Sequence, residues 1–338
     1  MEVSAMPNNR SGIKSLNFVG KFKIFLTISV AIILLGAIVN IAFGTELDVD
    51  FKGGTILTYS YENELDTDQV AAIVKEQCGL DVDVSESENY TSGIKSVVLT
   101  VAGDNAVSTE KQTEITQTLQ NEFADNNIAS PSMNSVAPSV GWSFFGKSMY
   151  ALALAAILVI IYVGIRFRNI GGISAAITAL IALVHDCAIA YFADVIFRIP
   201  LDDNFIAVEL TILGYSLNDT IVIYDRIREN TKIYGTSMSH RELVNLSITQ
   251  SLRRSLVTSI ATFIAISTIT VVAAIAGLES ILSFSIPMSI GVIAGSFSSI
   301  CLAGPLYVLW LEFKDRHNIG KKKKGKSAYA KKGKAAKA

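Results

Sequence analysis

The chain has 338 residues, of which 50% are hydrophobic and only 17% charged, with a mean hydropathy of +0.43 and a formal net charge of −1. Because soluble globular domains carry about 25% charged residues, this composition argues against a two-domain cytosolic protein. The net charge is not clearly positive, which also argues against a nucleic-acid-binding protein.

Six apolar segments predict membrane-spanning helices, because about 20 mainly apolar residues in a helix cross the hydrocarbon core of a bilayer. The predicted spans are residues 24–43, 148–165, 171–193, 204–224, 254–278 and 280–311. The first apolar run is too long for a secretory signal and no small-residue cleavage site follows it, so we expect it to stay as an anchor. The sequence therefore predicts a polytopic α-helical membrane protein with six transmembrane helices.

Basic residues predict the orientation of these spans. Lys and Arg are concentrated after the second and fourth predicted spans and in the tail 312–338, whose charges sum to +9. The positive-inside rule then places the N-terminal residues 1–23, the loop 225–253 and the tail in the cytoplasm, with both termini inside. Three interpretations of the Lys-rich tail stay open: a disordered solvated segment, attraction to anionic lipid, and contact with the ribosome.

Residues 44–147 predict an external α+β domain. They carry five lysines against seventeen acidic residues, a net charge of −12, and long loops cross a membrane regardless of charge. Strand patterns at 52–61, 80–85, 96–101 and 131–140 alternate with helical patterns at 67–77 and 108–123. The order β-α-β-β-α-β is that of a ferredoxin-like fold.

No sequence pattern indicates an enzyme. Cys78 is the only cysteine of the external segment, so no disulfide is expected there, and Cys187 and Cys301 fall inside spans. The sequence contains no metal-hydrolase motif, phosphate-binding loop or Ser/His/Asp spacing. We therefore expect no bond-making catalysis, no metal site and no cofactor.

Asp219 is the strongest candidate for a functional residue, because an ionisable group inside a span is costly. It lies six residues before Asp225, which places it roughly 9 Å inside the membrane boundary. Asn218 and Thr220 flank it. The carboxyl group either takes up and releases a proton, or holds a cation, in a water-lined path; the alternative is a permanent pair with an arginine that locks two helices.

Arg254 is the candidate partner, since it begins the fifth span at a similar depth. A guanidinium group favours the ionised carboxylate whereas desolvation favours the neutral acid, so a movement of this arginine could switch Asp219. The alternative is an interfacial anchor. The same span carries hydroxyls in two i, i+4 pairs, Ser255 with Ser259 and Thr258 with Thr262, which either line a water path or join helices.

Three further ionisable residues lie inside predicted spans. His185 and Asp186, in the third span, either relay protons or form interhelical hydrogen bonds. Glu209 lies three turns from Asp219 on roughly the same face. It either extends an ion path or faces a missing partner subunit.

Three motifs resemble the SecF family: LDVDFKGGT (47–55), LGYSLNDTIVIYDRIREN (213–230) and QSLRRSLVTS (250–259). The likeness extends over residues 14–312 and includes the six-span layout with a large loop after the first span. Glu209 departs from the family pattern, which has an apolar residue there. The motif positions are Asp50, Gly53, Gly54, Thr55, Gly214, Tyr215, Ser216, Asp225, Arg226 and Arg228.

The resemblance implies a subunit of the bacterial cytoplasmic membrane, in the resistance–nodulation–division superfamily, that works with SecD. In that scheme proton-motive force drives external-domain motion and draws preproteins across after SecA has pushed them through SecYEG. The residue at Asp219 couples the ion, H⁺ or alternatively Na⁺, and Arg254 is its partner. A membrane insertase is a further partner, and no nucleic acid is expected apart from a ribosome contact.

Two other functions stay open from the sequence. One is a half-size exporter of lipid or drug from the same superfamily, which would be a self-sufficient homodimer. The other is a non-transporting scaffold that holds translocon and insertase components together. The scaffold predicts that replacing Asp219 leaves function intact, whereas ion coupling predicts loss.

Overall fold

The structure is a computed structural model that describes residues 15–48, 51, 54–79, 82–89, 94–102, 107–136 and 138–317. The motif residues Asp50 and Gly53, and the Lys-rich end of the tail, lie outside the described residues. Within the described residues, six helices are long and apolar enough to cross a membrane. The first is α1 (Phe22–Phe43), whose apolar side chains lie mostly exposed on the isolated chain.

A four-stranded antiparallel sheet follows α1. Its strands are β1 (Gly54–Tyr61), β2 (Asp83–Asn89), β3 (Ile94–Ala102) and β4 (Ser132–Val136), in the spatial order β2-β3-β1-β4. Two helices cover it, α2 (Thr67–Ile73), which a π-helical turn extends to Cys78, and α3 (Thr109–Glu122). In the register, Leu57 of β1 lies between Leu99 of β3 and Met133 of β4.

The core of this α+β unit follows from the two periodicities of its sequence. Alternate residues of β1 and β3, such as Leu57 and Leu99, are fully buried beneath Ile115 and Leu119, which lie one turn apart on α3. The last predicted strand, 131–140, is too long, since β4 ends at Val136 and a helix begins at Pro138. Proline is favourable there because the first turn of a helix needs no N–H partner.

The remaining spans are longer than hydropathy alone predicts. They are α4 (Pro138–Arg166), α5 (Gly172–Phe197), α6 (Asp203–Tyr234), α7 (His240–Ala276) and a sixth span made of α8 (Glu279–Ser298), a π-helical segment (Ser299–Ala303) and α9 (Gly304–Arg316). α6 and α7 extend into the predicted cytoplasmic connection 225–253, and only residues 235–239 separate the two helices. Charged helix formers continue both helices beyond their apolar parts.

The spans differ in burial. α5, α6 and the sixth span form the interior of the bundle, whereas α1, α4 and α7 expose most of their apolar surface. Small residues permit the close contacts in the interior: a Cβ on Gly295 of α8 would lie 2.9 Å from Cβ of Ser216 on α6. The apolar outer faces are suited to lipid or to another membrane chain.

The α+β unit is tied to the bundle at one end of α5 and α6. Leu47, after α1, forms a parallel bridge with Leu201, in the connection between α5 and α6. The Leu201 N–H donates to the Glu46 carbonyl at 2.9 Å, and Arg198 pairs with the Glu46 side chain. Phe51, fully buried, packs with Leu201 and Phe205.

Candidate functional site

Asp219 lies in the interior of the bundle, at the contact between α6 and α7. It is 3% exposed, and its Oδ2 accepts a hydrogen bond from Ser259 Oγ of α7 at 3.3 Å. Ser255, fully buried, lies one turn before Ser259 on the same face of α7. A buried carboxyl group thus meets two hydroxyl-bearing residues of the neighbouring span.

The predicted pair of Asp219 with Arg254 is not formed in this conformation. Arg254 is exposed, and within the described residues no carboxylate oxygen lies within 4.0 Å of its guanidinium nitrogens. Since each residue of a helix turns by about 100°, the face that carries Ser255 and Ser259 cannot also carry Arg254. Arg254 therefore lies within electrostatic range of Asp219 without forming an ion pair with it.

Three other predicted supporting residues do not reach Asp219 through their side chains. The Thr258 hydroxyl donates to the carbonyls of Arg254 and Ser255, at 3.1 and 2.9 Å, and the Thr262 hydroxyl to the Thr258 carbonyl at 3.0 Å. Asn218 is exposed. Of the two predicted hydroxyl pairs of α7, the structure therefore brings Ser255 and Ser259 to the site, and not Thr258 and Thr262.

Asp186 is the centre of a second polar cluster. It is fully buried on α5, and its Oδ2 accepts hydrogen bonds from Ser216 Oγ of α6 at 2.6 Å and from Ser298 Oγ of α8 at 2.7 Å. Its Oδ1 lies 2.9 Å from His185 Nδ1. These contacts favour interhelical hydrogen bonding for Asp186, although His185 Nε2 is buried without a partner in the described part of the chain.

Hydroxyl groups connect the Asp186 cluster with the surroundings of Asp219. Ser299 Oγ donates to the Ser216 carbonyl at 3.1 Å and shares a hydrogen bond of 2.9 Å with Thr220 Oγ1, next to Asp219 in the chain. Ser299 is also the first residue of the π-helical segment, a kind of irregularity that is frequent at functional sites. This hydroxyl series therefore runs from Asp186 to Thr220 through both the hydroxyl and the backbone carbonyl of Ser216.

Apart from Gly214, the remaining motif positions of 213–230 form ion pairs, hydrogen bonds or packing contacts rather than reaching Asp219. Asp225 pairs with Arg166 of α4 at 3.3 Å and with Arg228 at 2.8 Å, and Arg226 donates to Gln250 Oε1 at 2.7 Å. Tyr215 packs against the apolar residues between α5, α6 and α8, and Gly214 is exposed.

The described part of the 47–55 motif supports the sheet. Gly54 has a φ of +154°, which glycine adopts without strain, and Thr55 Oγ1 accepts from the Val107 N–H at 3.0 Å.

Sequence reasoning missed Ser298, Ser299 and Asp194. Ser298 and Ser299 lie in the uncharged predicted span 280–311, and no pattern within that span distinguishes them from its other serines. Asp194 is one residue beyond the predicted span 171–193, yet it is 2% exposed. The apolar run Val195-Ile196-Phe197 after Asp194 could have indicated that the third span continues past this residue. Glu209, also buried, is 1% exposed on α6.

Six apolar helices with buried carboxyl groups at their contacts define an integral membrane protein of the transport type. Residues 115–313 match the family model "Protein export membrane protein SecD/SecF, C-terminal". The chain is 33% identical to the protein translocase subunit SecF of Alicyclobacillus acidocaldarius, covering 85% of this chain and 90% of that protein. For SecF of Anaerolinea thermophila the identity is 30%, over 87% and 94%. The chain belongs to the SecD/SecF family of protein export membrane proteins.

Two longer relatives combine SecD and SecF in one chain. The protein translocase subunit SecDF of Bacillus subtilis is 32% identical over 87% of this chain, which spans 38% of that protein. The crystal structure of SecDF from Thermus thermophilus, described as a translocon-associated membrane protein, superposes with a TM-score of 0.73 at 26% identity. It covers 90% of this chain and 40% of its own. The family consists of translocase subunits, which are accessory membrane proteins and not enzymes.

Proposed function

We propose that this chain acts with a SecD partner as the ion-coupled SecF-type subunit of the protein export machinery. Family membership supports a role in protein transport, and the fused SecDF relative supports association with SecD. The observation that carries the coupling step is Asp219, a carboxyl group 3% exposed inside an apolar span and hydrogen-bonded to the next span through Ser259.

The coupling ion acts by changing the charge at the contact between α6 and α7. Moving one charge across 100 mV releases about 2.3 kcal/mol, enough to shift a two-state equilibrium almost fifty-fold. A cation that reaches Asp219 weakens its attraction to the Arg254 charge and alters its hydrogen bond from Ser259. The packing of α7 on α6 then differs between the loaded and the empty state.

We propose that the α+β unit is an external domain of the ferredoxin-like type and that both chain termini lie in the cytoplasm. The strand order β2-β3-β1-β4 with two covering helices supports the fold, and the −12 charge of 44–147 against the basic tail supports the orientation. A cysteine at exposed Gln117 should react in whole cells with a membrane-impermeant maleimide, whereas labelling only after lysis would reverse the orientation.

The proposed partners are SecD, the SecYEG translocon with SecA, the preprotein, a membrane insertase and anionic lipid at the basic tail. The apolar outer faces of α1, α4 and α7 provide surfaces for SecD and for lipid. Purification of the tagged chain in mild detergent from its native membrane should recover a SecD-type protein. Recovery of a homodimer alone would favour the half-size exporter.

Replacing Asp219 with asparagine tests the proposed function, since the amide keeps the size and the acceptor oxygen but not the charge. In proteoliposomes with the partner subunits, the Asp219→Asn variant should assemble normally but lose the export stimulated by an ion gradient. Imposing a proton gradient or a sodium gradient separately identifies the ion. Asp203→Asn, an exposed carboxylate on the same helix, is the matched control. Full stimulation in Asp219→Asn would contradict ion coupling and favour the scaffold.

A further inference from the structure

Two buried carboxyl groups on adjacent spans lie outside the Asp219 site and the Asp186 cluster. Asp194 of α5 is 2% exposed and Glu209 of α6 is 1% exposed. None of their four carboxyl oxygens has a hydrogen-bond partner among the described residues. The two groups lie within electrostatic range of each other, but neither donates to the other.

Buried apolar residues lie near this pair along the same two helices. Ala190 of α5 and Val208 and Ile212 of α6 are fully buried and cluster with Val292 of α8, and Ala193, next to Asp194, is 3% exposed. The Cys187 thiol, a weak hydrogen-bond donor, lies beside the Glu209 carboxyl group. Water is therefore excluded from most sides of two groups that each prefer to be hydrated or paired.

No basic side chain of the described residues neutralises the pair. Arg198, at the end of α5, is engaged by Glu46 and by the Phe43 carbonyl, and Lys147 of α4 is exposed. Residues 24–43 of α1, 255–276 of α7 and 280–298 of α8 contain no Asp, Glu, Lys, Arg or His.

The neighbouring acidic groups are occupied elsewhere. Asp186 accepts from Ser216 and Ser298, with His185 beside it, and Asp202 accepts from Ser283 Oγ at 2.8 Å.

Two ionised carboxylates in such surroundings are unfavourable unless a positive charge joins them. A divalent or transition metal ion is disfavoured, because the described residues contain no group of three or more His, Cys, Asp or Glu side chains arranged to hold one. One singly charged cation, bound between the Asp194 and Glu209 carboxyl groups, would instead satisfy both of them.

We infer that Asp194 and Glu209 form a binding site for one monovalent cation, H⁺ or Na⁺, between α5 and α6. Glu209 lies ten residues before Asp219, roughly 15 Å along the helix, so the two sites are separate. Glu209 is also within electrostatic range of Asp186, which the hydroxyl series connects to Thr220. The cation site does not depend on the proposed export function.

Infrared spectroscopy of the full chain in proteoliposomes tests the site. A buried protonated carboxyl group gives a C=O band that titrates with pH, and the Glu209 band should disappear in Glu209→Gln. In Asp194→Asn the Glu209 band should remain, whereas in Glu209→Gln the midpoint of the Asp194 band should shift by about one pH unit, a tenfold change in proton affinity, because the Glu209 charge beside it is gone. Asp203→Asn, exposed on the same helix, should leave both band and midpoint unchanged.

Binding of radioactive sodium at alkaline pH distinguishes the two cations. Saturable binding that Glu209→Gln abolishes identifies Na⁺, whereas a titrating band without sodium binding identifies H⁺. Glu209→Leu, which removes the unpartnered oxygens from an apolar site, provides a second variant that should fold and lose both signals. A titration midpoint and sodium binding that are the same in wild type, Glu209→Gln, Glu209→Leu and Asp194→Asn would overturn the inference. None of these measurements uses export, so failure of the export proposal leaves them interpretable.

Discussion

Replacing Gly295 with alanine should loosen the contact between α8 and α6. A Cβ at this position would lie 2.9 Å from Ser216 Cβ and 3.3 Å from Ser216 Oγ. Ordinary contacts of a Cβ begin at 3.4 Å, so the two helices must separate by up to about 0.5 Å. Ser216 cannot swing away freely, because its hydroxyl donates to Asp186 at 2.6 Å.

The magnitude follows from two opposing effects. Overpacking of a close contact costs about 1–3 kcal/mol, whereas Gly→Ala inside a helix contributes about 0.5–1 kcal/mol of stability. Gly214 of α6 has no heavy atom within 4 Å of the corresponding Cβ position, so Gly214→Ala retains only the favourable effect. The two variants should therefore differ by about 1–3 kcal/mol, with helix propensity cancelled.

Equilibrium unfolding in mixed detergent micelles measures this difference, with the fluorescence of Trp142 and Trp310 as the signal. Gly295→Ala should unfold at a lower denaturant fraction than wild type, and Gly214→Ala at an equal or higher one. If both variants unfold at the same denaturant fraction, the helices are not in the close contact described, and the reasoning from Gly295 fails.

Two further predictions concern the α+β unit and the end of the bundle. Asn126→Ala should destabilise the α+β unit by about 2 kcal/mol, because the Asn126 amide donates to the Glu62 and Glu64 carbonyls, each at 2.9 Å. Hydrogen exchange of β1 measures the loss, and Asn121→Ala, exposed on α3, should have no effect. Removing the ion pair of Arg241 and Glu312, with distances of 2.6 and 2.7 Å, should cost less than about 1 kcal/mol, since both groups reach solvent. A double-mutant cycle at low and high salt measures the coupling, and a salt-independent coupling of several kcal/mol would contradict a solvent-exposed pair.

Hydropathy could predict the number of spans but not their ends. Apolar residues must fill the membrane, so runs without charge mark each span. Beyond the membrane, charged residues such as Arg226, Glu229 and Lys232 are good helix formers and continue α6 to Tyr234. Asp194 shows the opposite error: its charge ended the predicted third span, although α5 continues to Phe197 and buries it.

The sequence could predict how deep the candidate site lies in the membrane, but not which side chains of α7 face Asp219. Sequence distance from the membrane boundary gives the depth of Asp219 and Arg254, which made them candidate partners. Which side chain faces Asp219 depends on the rotation of α7 against α6, and packing turns Ser255 and Ser259 inward instead. The contacts of Ser298 and Ser299 depend on the packing of the sixth span, which no pairwise spacing reveals.

The π-helical segment Ser299–Ala303 divides the sixth span into two halves that are out of phase. One additional residue in a helical turn rotates everything beyond it by about 100° around the axis. Before the segment, Gly295 is held against Ser216, and beyond it the Tyr307 hydroxyl donates to the Ile170 carbonyl. Conversion of the wide turn to regular α-helix would swing Tyr307 off Ile170 while Gly295 stays in place. The π-helical segment thus sets the rotation of Tyr307 relative to Gly295, at the level where Ser299 meets Thr220, the residue after Asp219.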